Sequence, residues 1–126
     1  MSTIMKIYFS HSKEINFREI YRALRSSDLN KNHDIVLPHE KSLEATDFVT
    51  RDIINQCDLV IAETTFPATG MGIELGRADV FGKRIICFYK EGAKLSSSLK
   101  VVSKDFIQYD DMEDFINKLK IEINKK

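Results

Sequence analysis

The sequence predicts an α/β fold: a single domain, residues 1–126, built on a doubly wound five-stranded parallel sheet of the flavodoxin or Rossmann type, with strand order 2-1-3-4-5. Two observations lead to this prediction. Short apolar runs alternate with segments of helical period, which is the pattern of a parallel sheet wrapped by helices. Right-handed crossovers, with helices on both faces of the sheet, leave few other arrangements at this chain length.

The strands are predicted from apolar runs that are short enough to be buried strands rather than helices. In chain order they are residues 4–10, 34–37, 58–63, 84–89 and 106–109. Each run is separated from the next by a stretch long enough for a crossover, as parallel pairing requires.

Four helices are predicted from apolar residues that recur at helical spacing. The third is expected to begin at Gly70 and to stop near Gly82, and the fourth to start behind Asp110 and Asp111. The stretch SSDLNKN, after the first helix, is expected to be a loop. In chain order the apolar residues are Phe17, Ile20, Tyr21 and Leu24; Ala45, Val49, Ile53 and Cys57; Met71, Leu75 and Ala78; and Met112, Phe115, Ile116, Leu119 and Ile123.

Composition narrows the function classes. The formal net charge is zero with 30% charged residues, so polymeric nucleic acid is not an expected partner, although a small phosphate ligand is compatible. Cys57 and Cys87 have neither CxxC nor histidine at ligand spacing, so we expect reduced, buried thiols with no metal and no cofactor. Neither a signal peptide nor an apolar run of ~20 residues is visible, so a soluble, cytoplasmic protein without membrane contact is expected.

Two polar loops are expected to meet at the ligand-binding edge of the sheet. In a doubly wound sheet of this order, ligands bind beyond the carboxyl ends of strands 1 and 3. That rule brings SHS, residues 10–12, beside TTFPATGMG, residues 64–72. The second loop continues into GMGIELG, where Glu74 is predicted to lie in the first turn of a helix, among closely spaced glycines.

Three ligand-binding patterns of such folds can be compared with these loops. A dinucleotide-binding GxGxxG normally follows the first strand, whereas the glycines here follow the third as GxGxxxG, which is a weak match. A phosphoacceptor receiver needs an acidic pair after strand 1 and an aspartate after strand 3, but this chain has SHS and two threonines there. A flavin-binding phosphate loop should directly follow strand 1, and KEINF does not resemble one.

Two interpretations of Glu74 remain open from the residues alone. As a helix-start carboxylate it would be favoured by the helix dipole, by about 0.3–1 kcal/mol at an exposed site. As a side chain facing a crevice between glycines, it would instead carry chemistry. Composition and spacing favour the two interpretations about equally.

The stretch DLVIAETTFPATGMGIELGRADVFGKRIICFYKEG resembles the nucleoside 2-deoxyribosyltransferase superfamily, and is most similar to its 2′-deoxynucleoside 5′-phosphate N-hydrolases. The resemblance extends from Asp58 to about Leu99 and includes IYFSHS and VLPHE. It implies cleavage of the N-glycosidic bond of a (deoxy)nucleoside or its 5′-monophosphate, by hydrolysis or base transfer, in a homodimer. Glu74 matches the family glutamate that attacks the anomeric carbon and forms a covalent glycosyl-enzyme.

The resemblance also implies roles for other residues. Tyr8 matches a tyrosine that reaches the active site, Ser12 a serine of the phosphate-binding loop, and His39 a histidine of the pocket. Ser96 matches a serine contributed across the dimer interface to the phosphate of the neighbouring subunit. With the crevice positions added, the predicted substrate-binding residues are Ser10, Ser12, His39, Thr69, Gly70, Gly72 and Ser96.

Three positions depart from the family pattern. His11 replaces a glycine and would place a bulky group beside the phosphate, and Ala68 replaces a phosphate-binding serine. Thr50 replaces the aspartate that steers the nucleophile and the protonation of the departing base. Asp47, one turn earlier on the same helix face, is the predicted catalytic substitute, whereas Asp52 lies on the opposite face. These departures motivate an alternative: a non-catalytic nucleotide-binding or sensing module of the same fold.

Overall fold

The computed structural model describes residues 3–41 and 47–125, without the side chains of residues 47–49. It confirms the predicted architecture, a five-stranded sheet of order β2-β1-β3-β4-β5 in which all four neighbouring pairs run parallel. The strands are β1 Lys6–His11, β2 Asp34–Val36, β3 Leu59–Glu63, β4 Arg84–Tyr89 and β5 Asp105–Gln108. Helical crossovers join them, as the alternation of apolar runs and helical segments predicted.

Six helices lie in the described part of the chain. They are α1 Phe17–Ser26, α2 Asp28–Asn32, α3 Asp47–Gln56, α4 Thr69–Val80, α5 Leu99–Val102 and α6 Met112–Asn124. The predicted loop at SSDLNKN is wrong, because α2 occupies most of it and buries Leu29 in the core. Neither α2 nor α5 was predicted, since five and four residues are too few to show a helical period.

Strand ends differ from the prediction by one or two residues. β1 begins at Lys6, where its pairing with β2 starts, and leaves the 74% exposed Ile4 outside the strand. It continues to His11, which pairs with Glu63 of β3. This pairing extends both strands to the edge where the SHS and TTFPATGMG loops leave the sheet. The two loops are therefore neighbours, as the switch-point rule predicted.

Successive residues of β1 face opposite layers, which decides what each contributes to the site. Ile7 and Phe9 pack in the core beneath α1 and α6, whereas Tyr8 packs in the core beneath α3 and α4. By the same alternation, Ser10 shares the α4 face with Tyr8, and His11 shares the α1 face with Phe9. The first core includes Leu24, Leu59, Ile61, Phe88 and Phe115, and the second includes Ile54, Val60, Met71, Leu75 and Cys87.

Gly82 ends the segment that carries α4 and takes a left-handed conformation, with φ of 72°. A Cβ there would meet no atom within 4 Å, so any cost of substitution is conformational rather than steric. We expect Gly82→Ala to lower the free energy of unfolding by about 1–2 kcal/mol in urea denaturation. Gly76→Ala, inside α4 and equally unobstructed, should instead be neutral or stabilising. Equal effects of the two substitutions would contradict the conformational explanation.

Candidate active site

A cleft of about 440 Å³ opens at the carboxyl ends of β1 and β3, where the fold predicts a ligand site. Its walls come from the end of β1 and the loop after it, the loops after β2 and β3, α3, and the first two turns of α4. The lining residues are His11, Ser12, Lys13, Glu14, His39, Thr50, Pro67, Ala68, Gly70, Met71 and Glu74. The cleft thus contains residues from both of the polar loops and from the glutamate-bearing helix that the sequence indicated.

The sequence predicted Glu74 in the first turn of α4, but it lies in the second turn. The helix begins at Thr69, and its first turn contains no acidic residue. Because the influence of the helix dipole falls off within the first turn, a capping role does not explain this carboxylate. The side chain is instead half-buried and faces the cleft.

Two hydroxyl groups from β1 hold the carboxylate of Glu74. Ser10 Oγ donates to Oε1 at 2.7 Å, and Tyr8 Oη donates to Oε2. Both Tyr8 and Ser10 are fully buried, because alternation along β1 places them on the face of the sheet beneath α4. Hydrogen bonds to both oxygens fix the orientation of the carboxylate and stabilise its charged form.

Tyr8 can act only as a donor in this arrangement. Its burial, and secondarily the negative charge of Glu74, raise the pKa of the phenol far above its ordinary value. The phenol therefore stays protonated across the whole physiological range.

His11 lines the cleft, and contacts on the α1 side fix the orientation of its ring. Its ring turns toward α1 and stacks on Phe17, with ring centroids 4.7 Å apart. Nδ1–H donates to the carbonyl of Ser12, so Nε2 accepts from Tyr21 Oη at 2.7 Å. Tyr21 in turn accepts from the N–H of His39. Burial lowers the pKa of His11 to about 4, so the ring is neutral.

This chain of hydrogen bonds connects the two loops that border one side of the cleft. His11 ends β1 and Ser12 follows it, His39 lies after β2, and the hydroxyl of Tyr21 joins them from α1. Tyr21 was not predicted as a site residue, because its spacing in α1 is that of an ordinary core residue. Only the folded structure shows that the ring packs in the core while the hydroxyl bonds to His11 and His39, two residues that line the cleft.

The start of α4 presents backbone donors to the cleft. Its N-cap is Ala68, and no side chain caps the helix there. Gly70 lines the cleft one residue into the helix, whereas the N–H of Gly72 donates to Ala68 O at 3.0 Å within the helix. Across the cleft, Ser12 Oγ accepts from the N–H of Glu14, and a hydroxyl that accepts can still donate to a ligand.

Several predicted residues are not brought into the cleft. Thr69, Gly72 and Ser96 are exposed and are absent from its lining, and Ser96 Oγ accepts from the N–H of Ser98. Thr50, by contrast, is 5% exposed and lines the cleft from α3. Asp47 begins α3, but its side chain lies outside the described residues. Gly72 cannot offer its N–H to a ligand, because α4 begins one residue earlier than predicted and this N–H donates to Ala68 O within the helix.

Within residues 3–41 and 47–125, no group of three or more His, Cys, Asp or Glu side chains is arranged to hold a metal ion. None of the helices in that part of the chain combines the length and the apolar character that crossing a bilayer requires.

The fold and the cleft define a class of protein: a doubly wound α/β domain with a glutamate held by two hydroxyls at the switch point of its sheet.

The chain is similar to the 5-hydroxymethyl-dUMP N-hydrolase of Homo sapiens, at 41% identity over 66 residues. That match covers 51% of this chain and 33% of the human protein, so the chain spans about a third of that relative. No protein-family model matches the chain.

Solved structures agree on the fold. A CMP N-glycosidase of Clostridium botulinum has a TM-score of 0.71 at 22% identity, covering 93% of this chain and 98% of that one. A 2-deoxyribosyltransferase of Bacillus psychrosaccharolyticus has a TM-score of 0.63 at 20% identity, covering 89% and 90%. Together with the sequence match, these neighbours confirm the predicted resemblance to the nucleoside 2-deoxyribosyltransferase superfamily.

Proposed function

We propose that this protein cleaves the N-glycosidic bond of a deoxynucleoside or its 5′-monophosphate, with Glu74 as the nucleophile. The observation that carries the proposal is the pair of hydrogen bonds from Tyr8 and Ser10 to the two oxygens of Glu74. A charged carboxylate oriented into a cleft is a competent nucleophile toward an oxocarbenium-like anomeric carbon. The names of the similar proteins support the same reaction class.

The reaction proceeds in two displacements. A carboxylate oxygen of Glu74 bonds to C1′ of the sugar while the C1′–N bond breaks, and its electron pair leaves with the base, which takes up a proton. Water then bonds to C1′, the ester to Glu74 breaks, and the carboxylate is regenerated as the water loses a proton. If a second base enters in place of water, the product is a new nucleoside and the reaction is a transfer.

The two ends of the cleft suit the two ends of a nucleotide. The hydroxyl of Ser12 and the backbone at Gly70, in the uncapped first turn of α4, would receive a 5′-phosphate or the sugar hydroxyl. Lys13 supplies a cation beside them, although Glu14 partly offsets it. His39 and the α3 wall are left for the base, with Asp47 as the proposed proton donor to it.

Release of free base is the direct test. The protein is incubated with each common deoxynucleoside 5′-monophosphate and with the corresponding deoxynucleosides, and free base is measured by chromatography. Intact-protein mass spectrometry should detect a glycosyl adduct, and addition of a second base distinguishes transfer from hydrolysis. Neither base nor adduct with any of these compounds would contradict the proposal.

A second candidate is a non-catalytic nucleotide-binding module, and Thr50 is the observation that favours it. This residue is buried and lines the cleft, and the resemblance implies that it replaces a catalytic aspartate of the family. A hydroxyl at that place can bind a nucleotide but cannot supply a proton as a carboxylic acid does. Micromolar binding by calorimetry without any product would support this candidate. Failure of every nucleotide to raise the melting temperature would exclude it.

We further propose a homodimer in the cytoplasm. Ser96 is exposed, away from the cleft of its own subunit, as a residue contributed to a neighbour would be. Exposed apolar side chains on the adjacent helices α4 and α5, Ile73, Val80 and Val101, support an association surface nearby. Two free, buried cysteines suit a reducing compartment. Sedimentation equilibrium measures the oligomeric state.

Tyr8→Phe tests the support given to Glu74. A hydrogen bond to a charged group is worth about 1.5–3 kcal/mol, so its loss should lower kcat/KM about 10- to 100-fold. The acidic limb of the pH profile should also move to higher pH, because the anion loses a donor.

Tyr89→Phe serves as the control for this substitution. Tyr89 ends β4 and does not line the cleft, so it should leave both the rate and the pH profile unchanged. An unaltered acidic limb in Tyr8→Phe would contradict the role of the phenol as a donor to the reacting carboxylate.

A further inference from the structure

A second carboxylate, Glu63, lies at the same edge of the sheet as the cleft. It is the last residue of β3, and its side chain has no exposed surface. Oε1 accepts from the N–H of Thr65 at 2.6 Å, and Oε2 accepts from Thr65 Oγ1 at 2.8 Å and from Tyr109 Oη at 2.5 Å. Three donors therefore converge on one buried anion.

The contacts of Glu63 join the ends of three strands. Thr65 Oγ1 also accepts from the N–H of Lys90, just beyond β4, and Tyr109 directly follows β5. The neighbouring Thr64 donates twice to Phe88 O of β4, through its N–H and its hydroxyl. The first two residues of the loop after β3 are thereby fixed to the rest of the sheet.

Burial of this carboxylate is expensive unless hydrogen bonds satisfy it. Tyr109 remains a donor, because burial, and secondarily its hydrogen bond with Glu63, raise the pKa of the phenol far above its ordinary value. An apolar side chain at position 63 would avoid the cost of burying a charge. We therefore explain the network by its effect on the loop at Thr65, which its hydrogen bonds hold in one conformation.

That loop forms one wall of the cleft. Residues 64–68 connect Glu63 to α4; Pro67 and Ala68 line the cleft, and Ala68 is also the N-cap of α4. Any shift of the loop would move the start of the helix that carries Glu74. We propose that Glu63 is a positioning residue that sets the place of this wall and of the α4 N-terminus for the reaction.

The inference rests on the proposed function for its kinetic consequence, but not for its structural one. Glu63→Gln keeps the volume of the side chain while turning one of its two acceptor oxygens into a donor, facing Thr65 and Tyr109. Thr65→Val removes the hydroxyl that donates to Glu63 and accepts from Lys90, while the N–H of residue 65 and Tyr109 can still donate to an intact Glu63. It therefore tests the same network if Glu63→Gln fails to fold.

Glu122→Gln is the matched control. Glu122 is another buried carboxylate, held by Arg84 at 2.9 Å and Lys125 at 2.6 Å. Because Arg84 begins β4, this pair lies at the amino end of the sheet, opposite the cleft. Its substitution should lower the melting temperature without changing the conformation of the loop at residues 64–68.

Two measurements decide the inference. Hydrogen exchange followed by mass spectrometry should show faster exchange in residues 64–72 for Glu63→Gln and Thr65→Val, and unchanged exchange there for Glu122→Gln. Below the melting temperatures, kcat should fall about 10- to 100-fold in the first two variants, as misplaced reacting groups require, with a smaller change in KM. The control should keep wild-type kcat.

The outcomes separate the two proposals. If the wild-type protein releases no base, the proposed function fails, while the exchange data still judge the anchoring by Glu63. If it releases base and both variants keep wild-type kcat and wild-type exchange in residues 64–72, Glu63 is not a positioning residue. Equal slowing by Glu122→Gln would likewise overturn the inference, since the effect would then follow stability alone.

Discussion

Glu74→Gln should lower the rate of base release by roughly a thousandfold or more, the largest effect of any single substitution in this chain. The amide keeps the volume of the carboxylate and an oxygen for Ser10 or Tyr8, so the cleft should keep its shape. What is lost is the negative charge and the nucleophilic oxygen that bonds to C1′. Initial rates, together with the disappearance of the glycosyl adduct in intact-mass spectra, measure the effect.

Binding should survive this substitution, which separates chemistry from folding and recognition. A deoxynucleoside 5′-monophosphate should still raise the melting temperature of Glu74→Gln, because every other residue that lines the cleft is unchanged. Asp79→Asn removes a carboxylate from the exposed face of the same helix and should leave the rate at the wild-type level. A decrease of less than about tenfold in Glu74→Gln would contradict the nucleophilic role.

The sheet and the place of the cleft could be predicted because they follow from patterns within the sequence. Apolar runs separated by helical segments impose parallel strands and right-handed crossovers, and the strand order then fixes where ligands bind. The same rule brings the segment that leads to Glu74 to the crevice, but the pattern alone left two interpretations of this residue open, and only the family resemblance favoured a nucleophile. No contact between distant residues had to be known for these conclusions.

The supports of the site could not be predicted in this way. Tyr8 and Glu74 are 66 positions apart and Glu63 and Tyr109 are 46, and no local pattern reports either hydrogen bond. The start of α4 was also misplaced, because Ala68 is a poor capping residue that leaves no side-chain signal. Glu74 is the sixth residue of α4 and lies beyond the first turn, so the structure excludes the capping explanation.

Asp47→Asn should have the second-largest effect, lowering kcat about 100-fold or more, if this residue protonates the departing base. α3 begins at Asp47, and Thr50, three residues later, lines the cleft. Residues three apart share a helix face, so helical spacing predicts that Asp47 serves the same cleft. Loss of a general acid should also abolish the basic limb of the pH profile of kcat/KM, which reports the essential protonated group.

Asp52→Asn provides the matched control, because Asp52 is an exposed carboxylate on the same helix with an ion pair to Arg51 at 3.7 Å. It should retain the wild-type rate and both limbs of the profile. Thr50→Asp, introduced into Asp47→Asn, should restore much of kcat, since it returns an acid to a residue that lines the cleft. Equal activity of Asp47→Asn and Asp52→Asn would contradict the role of Asp47. A gain from Thr50→Asp alone would then identify position 50 as the place where this reaction needs its acid.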